Sequence, residues 1–201
     1  MRAAREVMRA TGDELHANLM LCSYYGDKVM CVDRYWTDHS IESSYARGRP
    51  FPMFRGATAK PILANLPPYQ LRNLMLWHAA EIREAGLGED WDAFRANLKR
   101  LRTAGVCVSH GEVDPGLMGI GSAIFSPDQK VVGSLVFIAA EARTPPDRLA
   151  LLQSRIQTAA SEVSQNLLGP QNNGAAAIGI MPSRPRRLKT PAGASPARRK
   201  A

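Results

Sequence analysis

An α+β fold, with an antiparallel sheet covered by helices, is what this chain predicts. Three observations carry the prediction. Two β-prone runs meet across Gly26-Asp27, three more follow between Val106 and Ile138, and amphipathic helical stretches stand before, between and after them. No internal repeat interrupts the order.

The elements follow along the chain. Residues 1–12 alternate Arg and Glu with Ala, Val and Met and end on Gly12, which predicts a short helix. Leu15 to Tyr25 and Lys28 to Trp36 flank Gly26-Asp27 as a hairpin. Thr37 to Pro52 is polar and reads as a loop with an edge strand. Gly56-Ala-Thr-Ala-Lys-Pro-Ile-Leu-Ala-Asn65 predicts a helix that begins on small residues. Pro67-Pro68 opens a second, through Glu84, with Leu71, Leu74, Met75 and Ile82 at helical spacing. Trp91 to Ala104 gives a third, striped by Phe94, Leu98 and Leu101 and stopped by Gly105. Val106 to Val108, Leu117 to Phe125 and Lys130 to Ile138 are predicted strands, the last two joined by the turn Ser126-Pro-Asp-Gln129. Thr144-Pro-Pro-Asp147 caps a final amphipathic helix carrying Leu149, Leu152, Ile156, Ala159, Val163 and Leu167.

Charge separates the chain into two parts. The net charge is +8 over 201 residues, yet residues 171–201 hold seven of the 26 basic side chains and no acid. The rest is nearly balanced, with 19 Lys and Arg against 18 acids. Residues 1–169 therefore read as one folded domain. Residues 170–201, rich in Pro, Gly, Ala and Arg, are expected to form a disordered basic tail. No aromatic residue interleaves its cations, so any contact with nucleic acid there is expected to be non-specific. Cys22, Cys31 and Cys107 form no CxxC pair and are expected as free thiols of a cytoplasmic protein. No apolar run approaches the roughly 20 residues of a membrane span, and the start of the chain lacks a signal-peptide pattern.

The segment Gly105 to Phe125 concentrates the chemistry, with His110, two acids and five glycines. Nucleophilic catalysis would use Cys107 or Ser109 with His110 as base. Neighbours on a strand point to opposite faces, however, and no GxSxG elbow is present. A metal site could draw on His110, Glu112 and Asp114, but that set is small and lacks HxH or HExxH spacing. The glycines of 116–121 precede a strand, whereas a phosphate-binding fingerprint follows one and opens a helix. A binding pocket survives these tests, because glycine within a strand marks close approach of a ligand or of another backbone. Gly119, Gly121 and Gly133 all fit either alternative. His110 and Asp114 otherwise read as solvated loop residues, and Lys60 as a residue of the pocket mouth or of the surface.

Several blocks in this order resemble the effector-binding domain of IclR-type transcription regulators. They are Gly26 to Asp33, Gly56 to Ala64, Arg102-Thr-Ala-Gly105, Glu112 with Gly116, Ile120 to Phe125 and Lys130 to Leu135, spread over residues 3 to 168. The resemblance implies a GAF-like curved antiparallel sheet flanked by helices and holding a small metabolite. It also implies a homodimer or tetramer that regulates transcription, without catalysis, metal or other cofactor. Members join such a domain to an N-terminal winged helix-turn-helix. This chain begins at the linker helix without room for that module, so contact with DNA is expected only through a partner or through the basic tail.

Carried over by position, the effector-contacting residues are Ala57 and Thr58 at the start of a helix, Ser109, Glu112, Leu117, Gly119, and Val136 with Ile138. Small-acid binders of the family place Asp, Cys and two Ser where this chain has Ser109, Gly119, Val136 and Ile138, and a small residue where it has Pro61. Val136 and Ile138 stand two apart and share a strand face. They offer no hydrogen bond, so the expected effector is aromatic or otherwise apolar-bodied rather than a short keto acid. The competing reading is an enzyme built on Cys107, Ser109 and His110 in the same pocket, or a scaffold that binds no metabolite.

Overall fold

The computed structural model describes residues 2–25, 28–44 and 48–167. The expected tail, and the Gly26-Asp27 turn itself, lie outside the described residues. In chain order the elements are α1 (Arg2–Leu15), β1 (Asn18–Tyr25), β2 (Lys28–Tyr35), β3 (Pro50–Phe51), α2 (Gly56–Leu63), α3 (Pro68–Glu84), α4 (Trp91–Ala104), β4 (Cys107–His110), β5 (Leu117–Phe125), β6 (Val131–Ala140) and α5 (Pro146–Asn166). A 3-10 turn, Glu141–Arg143, joins the last strand to the last helix.

The six strands form one curved antiparallel sheet in the order β3-β2-β1-β6-β5-β4. Alternation along the strands divides the core in two. On one face Met20, Cys22, Val136 and Ile138 pack with Ala57, Ile62, Leu63, Phe94 and Leu98 of α2 and α4. On the other Leu19, Leu21, Ile120, Leu135 and Phe137 pack with Met8 of α1 and Leu152, Ile156 and Val163 of α5. Several element bounds differ from the sequence reading, and at α1 and β4 the difference matters most. α1 runs past Gly12 to Leu15, because Gly12 lies inside the helix where a β-carbon would stand 2.5 Å from the Tyr35 ring. The glycine makes room for packing, and the chain turns instead at His16, in left-handed conformation at φ 46°. β4 starts one residue later than expected and runs on to His110, so Ser109 and His110 stand on a strand.

α4 ends as its sequence demands. Asp90 accepts the amide of Ala93 at its start, and Gly105 takes the left-handed conformation at its end, returning its amide to the Leu101 carbonyl. α2 is short and contains Pro61, which has no amide to offer the Ala57 carbonyl four residues back.

Candidate functional site

The first turn of α2 lies across the row of inward-facing residues on β4, β5 and β6. Ser109 pairs with Gly119 and Gly119 with Ile138. In the next row Cys107 pairs with Gly121, and Gly121 with Val136. Glycine at two adjacent inward positions of β5 lowers the sheet surface, and the helix backbone settles into that depression. A β-carbon on Gly121 would sit 2.2 Å from the Ala57 carbonyl oxygen; one on Gly119 would sit 3.0 Å from the Ala57 β-carbon and 2.9 Å from Ser109 Oγ. The third candidate, Gly133, admits the neighbouring strand, with its β-carbon position 2.1 Å from the Cys22 carbonyl. At Gly121 and Gly133 the close approach is therefore made by the protein's own backbone.

Polar contacts fix the same turn. The Ala57 amide donates to Ser109 Oγ at 3.0 Å, and the Gly56 amide to Glu112 Oε2 at 2.9 Å. Two amides that the start of a helix leaves without internal partners are thus satisfied from β4 and the segment after it. Glu112 also holds Lys60 Nζ at 2.6 Å, with the two side chains 27% and 12% exposed, so the pair is largely shielded from solvent. On the far side, the Ser134 hydroxyl donates to the Thr58 carbonyl at 2.7 Å. Thr58 itself is buried, and its Oγ1 has no hydrogen-bond partner among the described residues. A buried hydroxyl without a partner carries an unmet desolvation cost.

Six of the eight expected effector residues, Ala57, Thr58, Ser109, Glu112, Gly119 and Val136, converge on this turn, and Ile138 lies in the row beside Gly119. Leu117 is half-buried at the start of β5, packed against the same core. The expected hollow, however, is closed. Val136 is 0% exposed, Thr58 and Ala57 1%, and Ile138 3%, because α2 rests directly on the glycine depression. Lys60, which sequence left between mouth and surface, belongs to the anchor through Glu112.

The other singled-out residues separate. His110 ends β4 with an exposed side chain whose Nδ1 is 3.6 Å from Glu141. Asp114 accepts the Ser44 amide at 3.0 Å and the Ser43 hydroxyl at 3.3 Å, tying down the segment after β2 rather than standing free in solvent. Sequence reasoning missed Asn18, which fixes that segment by accepting the amides of Thr37 and Asp38 and donating to the Asp38 carbonyl; nothing marks it in the sequence beyond its polarity at a strand start. Cys107 is buried, and that burial pushes its thiol up to about 11. The shift opposes the thiolate a nucleophile needs.

Cavities lined by described residues adjoin this core. One of about 480 Å3 lies among the C-terminal parts of α2, α4 and α5, lined by Asn65, Val106, Ala123, Gln157 and Ser161 among others. It exists because β4 is short. The edge of β5 beyond Gly121 has no strand beside it, and the gap is bridged by Ser122 donating to the Gly105 carbonyl and Gln157 to that of Ala104. A second, also about 480 Å3, runs between α3 and α4. A third, about 270 Å3, reaches Ile138 and Asn18 from the sheet end near Asp38 and Arg143. No helix of the described residues is long and apolar enough to cross a membrane.

The chain matches the family model described as bacterial transcriptional regulator IclR C-terminal over residues 1–165. It is 24% identical over 168 residues to the HTH-type transcriptional regulator KipR of Bacillus subtilis (strain 168), a match covering 83% of this chain and 66% of the relative. It is 27% identical over 128 residues to the HTH-type transcriptional regulator Rv1719 of Mycobacterium tuberculosis, covering 64% of this chain and 49% of that one. The chain thus spans about half to two thirds of the length of these regulators. Among solved structures, the Thermotoga maritima IclR superposes with a TM-score of 0.74 at 17% identity, over 83% of this chain and 67% of the other. That likeness is one of fold.

Proposed function

Because this chain belongs to the IclR C-terminal family of bacterial transcriptional regulators, we propose that it senses a small carboxylate through the first turn of α2 and passes the change on through its assembly with other subunits. The observation that carries this reading is the Thr58 hydroxyl, buried and without a partner among the described residues, one position after the Ala57 amide that Ser109 holds. Ser109 Oγ already accepts the Ala57 amide, but a hydroxyl also has a proton to donate. Two buried hydroxyls, with aliphatic Val136 and Ile138 on the strand that α2 packs against, suit an acid group carried on an apolar body.

The closed packing supplies the coupling. A metabolite can occupy this place only where α2 stands off β5, so it favours the open arrangement by its differential affinity for it. Moving α2 moves Lys60 and Glu112 with it, and through Glu112 the segment before β5. In a homodimer or tetramer such a displacement alters how subunits meet, and a DNA-binding partner or domain reads the result. Catalysis has no support in the same residues: Cys107 is a buried thiol with a raised pKa, and His110 is turned to solvent.

A thermal-shift screen of aromatic and short aliphatic keto acids tests the reading. At 100 times its dissociation constant, a ligand stabilises the fold by about 2.7 kcal/mol. The expected result is a saturable rise in melting temperature with aromatic acids and little with pyruvate or glyoxylate. A preference for the keto acids, or no shift with any acid, would overturn it.

A further inference from the structure

The groove between α3 and α4 lies apart from the first turn of α2 and carries a charge pattern that the sensor reading does not use. Trp91, Arg95, Lys99 and Arg102 are spaced four, four and three residues apart, so they stand on one side of α4, and all four line a cavity of about 480 Å3. Arg72 of α3 closes the other side and lies over the Trp91 ring, 5.0 Å from its centroid. Leu98, almost fully buried, belongs to the floor. None of the residues lining the cavity is acidic.

The four cations are also unpaired. No salt bridge or hydrogen bond joins Arg72, Arg95, Lys99 or Arg102 to a described residue. Other described cations do meet acids: Arg5 meets Asp33, Lys60 meets Glu112 and Arg143 meets Asp38. Arg95 and Lys99 are an i,i+4 pair of like charge, an arrangement that weakens a helix. Asp92, one turn before Arg95, makes no ion pair with it. Arg102 in the last turn is the only one of the four that suits the helix dipole, so the dipole does not account for the cluster.

We propose that this groove is a binding site for a small phosphate monoester with an apolar or planar body. Four unpaired cations around one cavity favour a group carrying about two negative charges over a monocarboxylate. Guanidinium groups on both walls can grip its oxygens in pairs. The Trp91 edge and Leu98 floor would receive the organic body, and the cavity is within the roughly 300–1,000 Å3 usual for small-molecule sites. The cations are exposed, so binding is expected to weaken as salt rises.

Titration calorimetry tests this with four probes: phenyl phosphate, inorganic phosphate, benzoate and a short DNA duplex. Phenyl phosphate should bind the full chain more tightly than phosphate or benzoate. The double variant Arg95→Gln, Lys99→Gln should bind it at least about tenfold more weakly while melting at the wild-type temperature, since both side chains are exposed. The Thr58→Val variant should bind phenyl phosphate unchanged, which separates this site from the sensor site. Equal binding by the double variant, equal binding of phosphate and phenyl phosphate, or no binding of phenyl phosphate at millimolar concentration would overturn the proposal. So would a duplex that outcompetes phenyl phosphate for the same residues, since the face would then serve nucleic acid.

Discussion

The Ala57 carbonyl oxygen stands 2.2 Å from the point where a β-carbon on Gly121 would lie. The contact has two sequence causes. Pro61 supplies no amide to that carbonyl from within the helix, and Gly121 supplies no side chain to keep it off the sheet. Gly121→Ala must therefore push α2 away from β5, because the obstructing atom is backbone. It is expected to destabilise the fold by about 3 kcal/mol, the upper part of the range for overpacking. Gly116, with φ +76° and open space around it, should lose only about 1 kcal/mol on the same change, from backbone strain alone. Urea denaturation of the two variants checks the difference.

Thr58→Val removes a buried hydroxyl that has no partner and keeps the shape of the side chain. Its expected effect on the unliganded protein is a stabilisation of about 1 kcal/mol, since an unmet desolvation cost disappears. Most buried substitutions destabilise, so the sign is informative. A melting temperature below wild type would mean that the hydroxyl has a partner.

The Lys60–Glu112 pair holds α2 from one side only, with little solvent around it. Glu112→Gln leaves a shielded ammonium without its counter-charge and should cost about 2–3 kcal/mol, less than for a fully buried pair. Adding Lys60→Met should restore part of that loss, because no uncompensated charge then remains. Equal stability of the single and double variants in urea would contradict the pairing.

Cys107 gives a pH prediction. Its folded-state pKa is raised to about 11 by burial, above the ordinary value of 9.0. Between these values the unfolded chain releases a proton that the folded chain keeps, so stability falls as pH rises, by about 1.4 kcal/mol per pH unit from this group. Below pH 9 it contributes no slope. Alkylation by iodoacetamide in the native protein is expected to be slow at pH 7.5. A Cys107→Ala variant separates its share of the alkaline slope from that of Cys22, whose thiol burial also pushes up.

Much of this architecture was legible in the sequence. The β1–β2 hairpin, the glycine-stopped α4 and the β5–β6 pair each follow from local patterns, periodicity or a turn. Gly12 misled, because a glycine that ends a helix and one that admits the Tyr35 ring look alike in sequence. The site residues that the resemblance implied lie around the first turn of α2, and Val136 and Ile138 share a face as their spacing on β6 implied. Their closure was not legible, since it depends on how far the α2 backbone descends onto Gly119 and Gly121. That distance is set by Pro61, Ser109 and Ser134, three residues far apart in the chain. The Asn18 and Asp114 tethers were missed for a related reason: single polar residues gain meaning only from partners brought close by folding.

The central claim is that an acid group binds at the first turn of α2, and one calorimetric comparison tests it most directly. The acid giving the largest thermal shift is titrated into wild type and Thr58→Val under the same buffer. The account predicts at least about tenfold weaker binding by the variant, the loss of one hydrogen bond to a charged group. Equal affinity in the two proteins would contradict it.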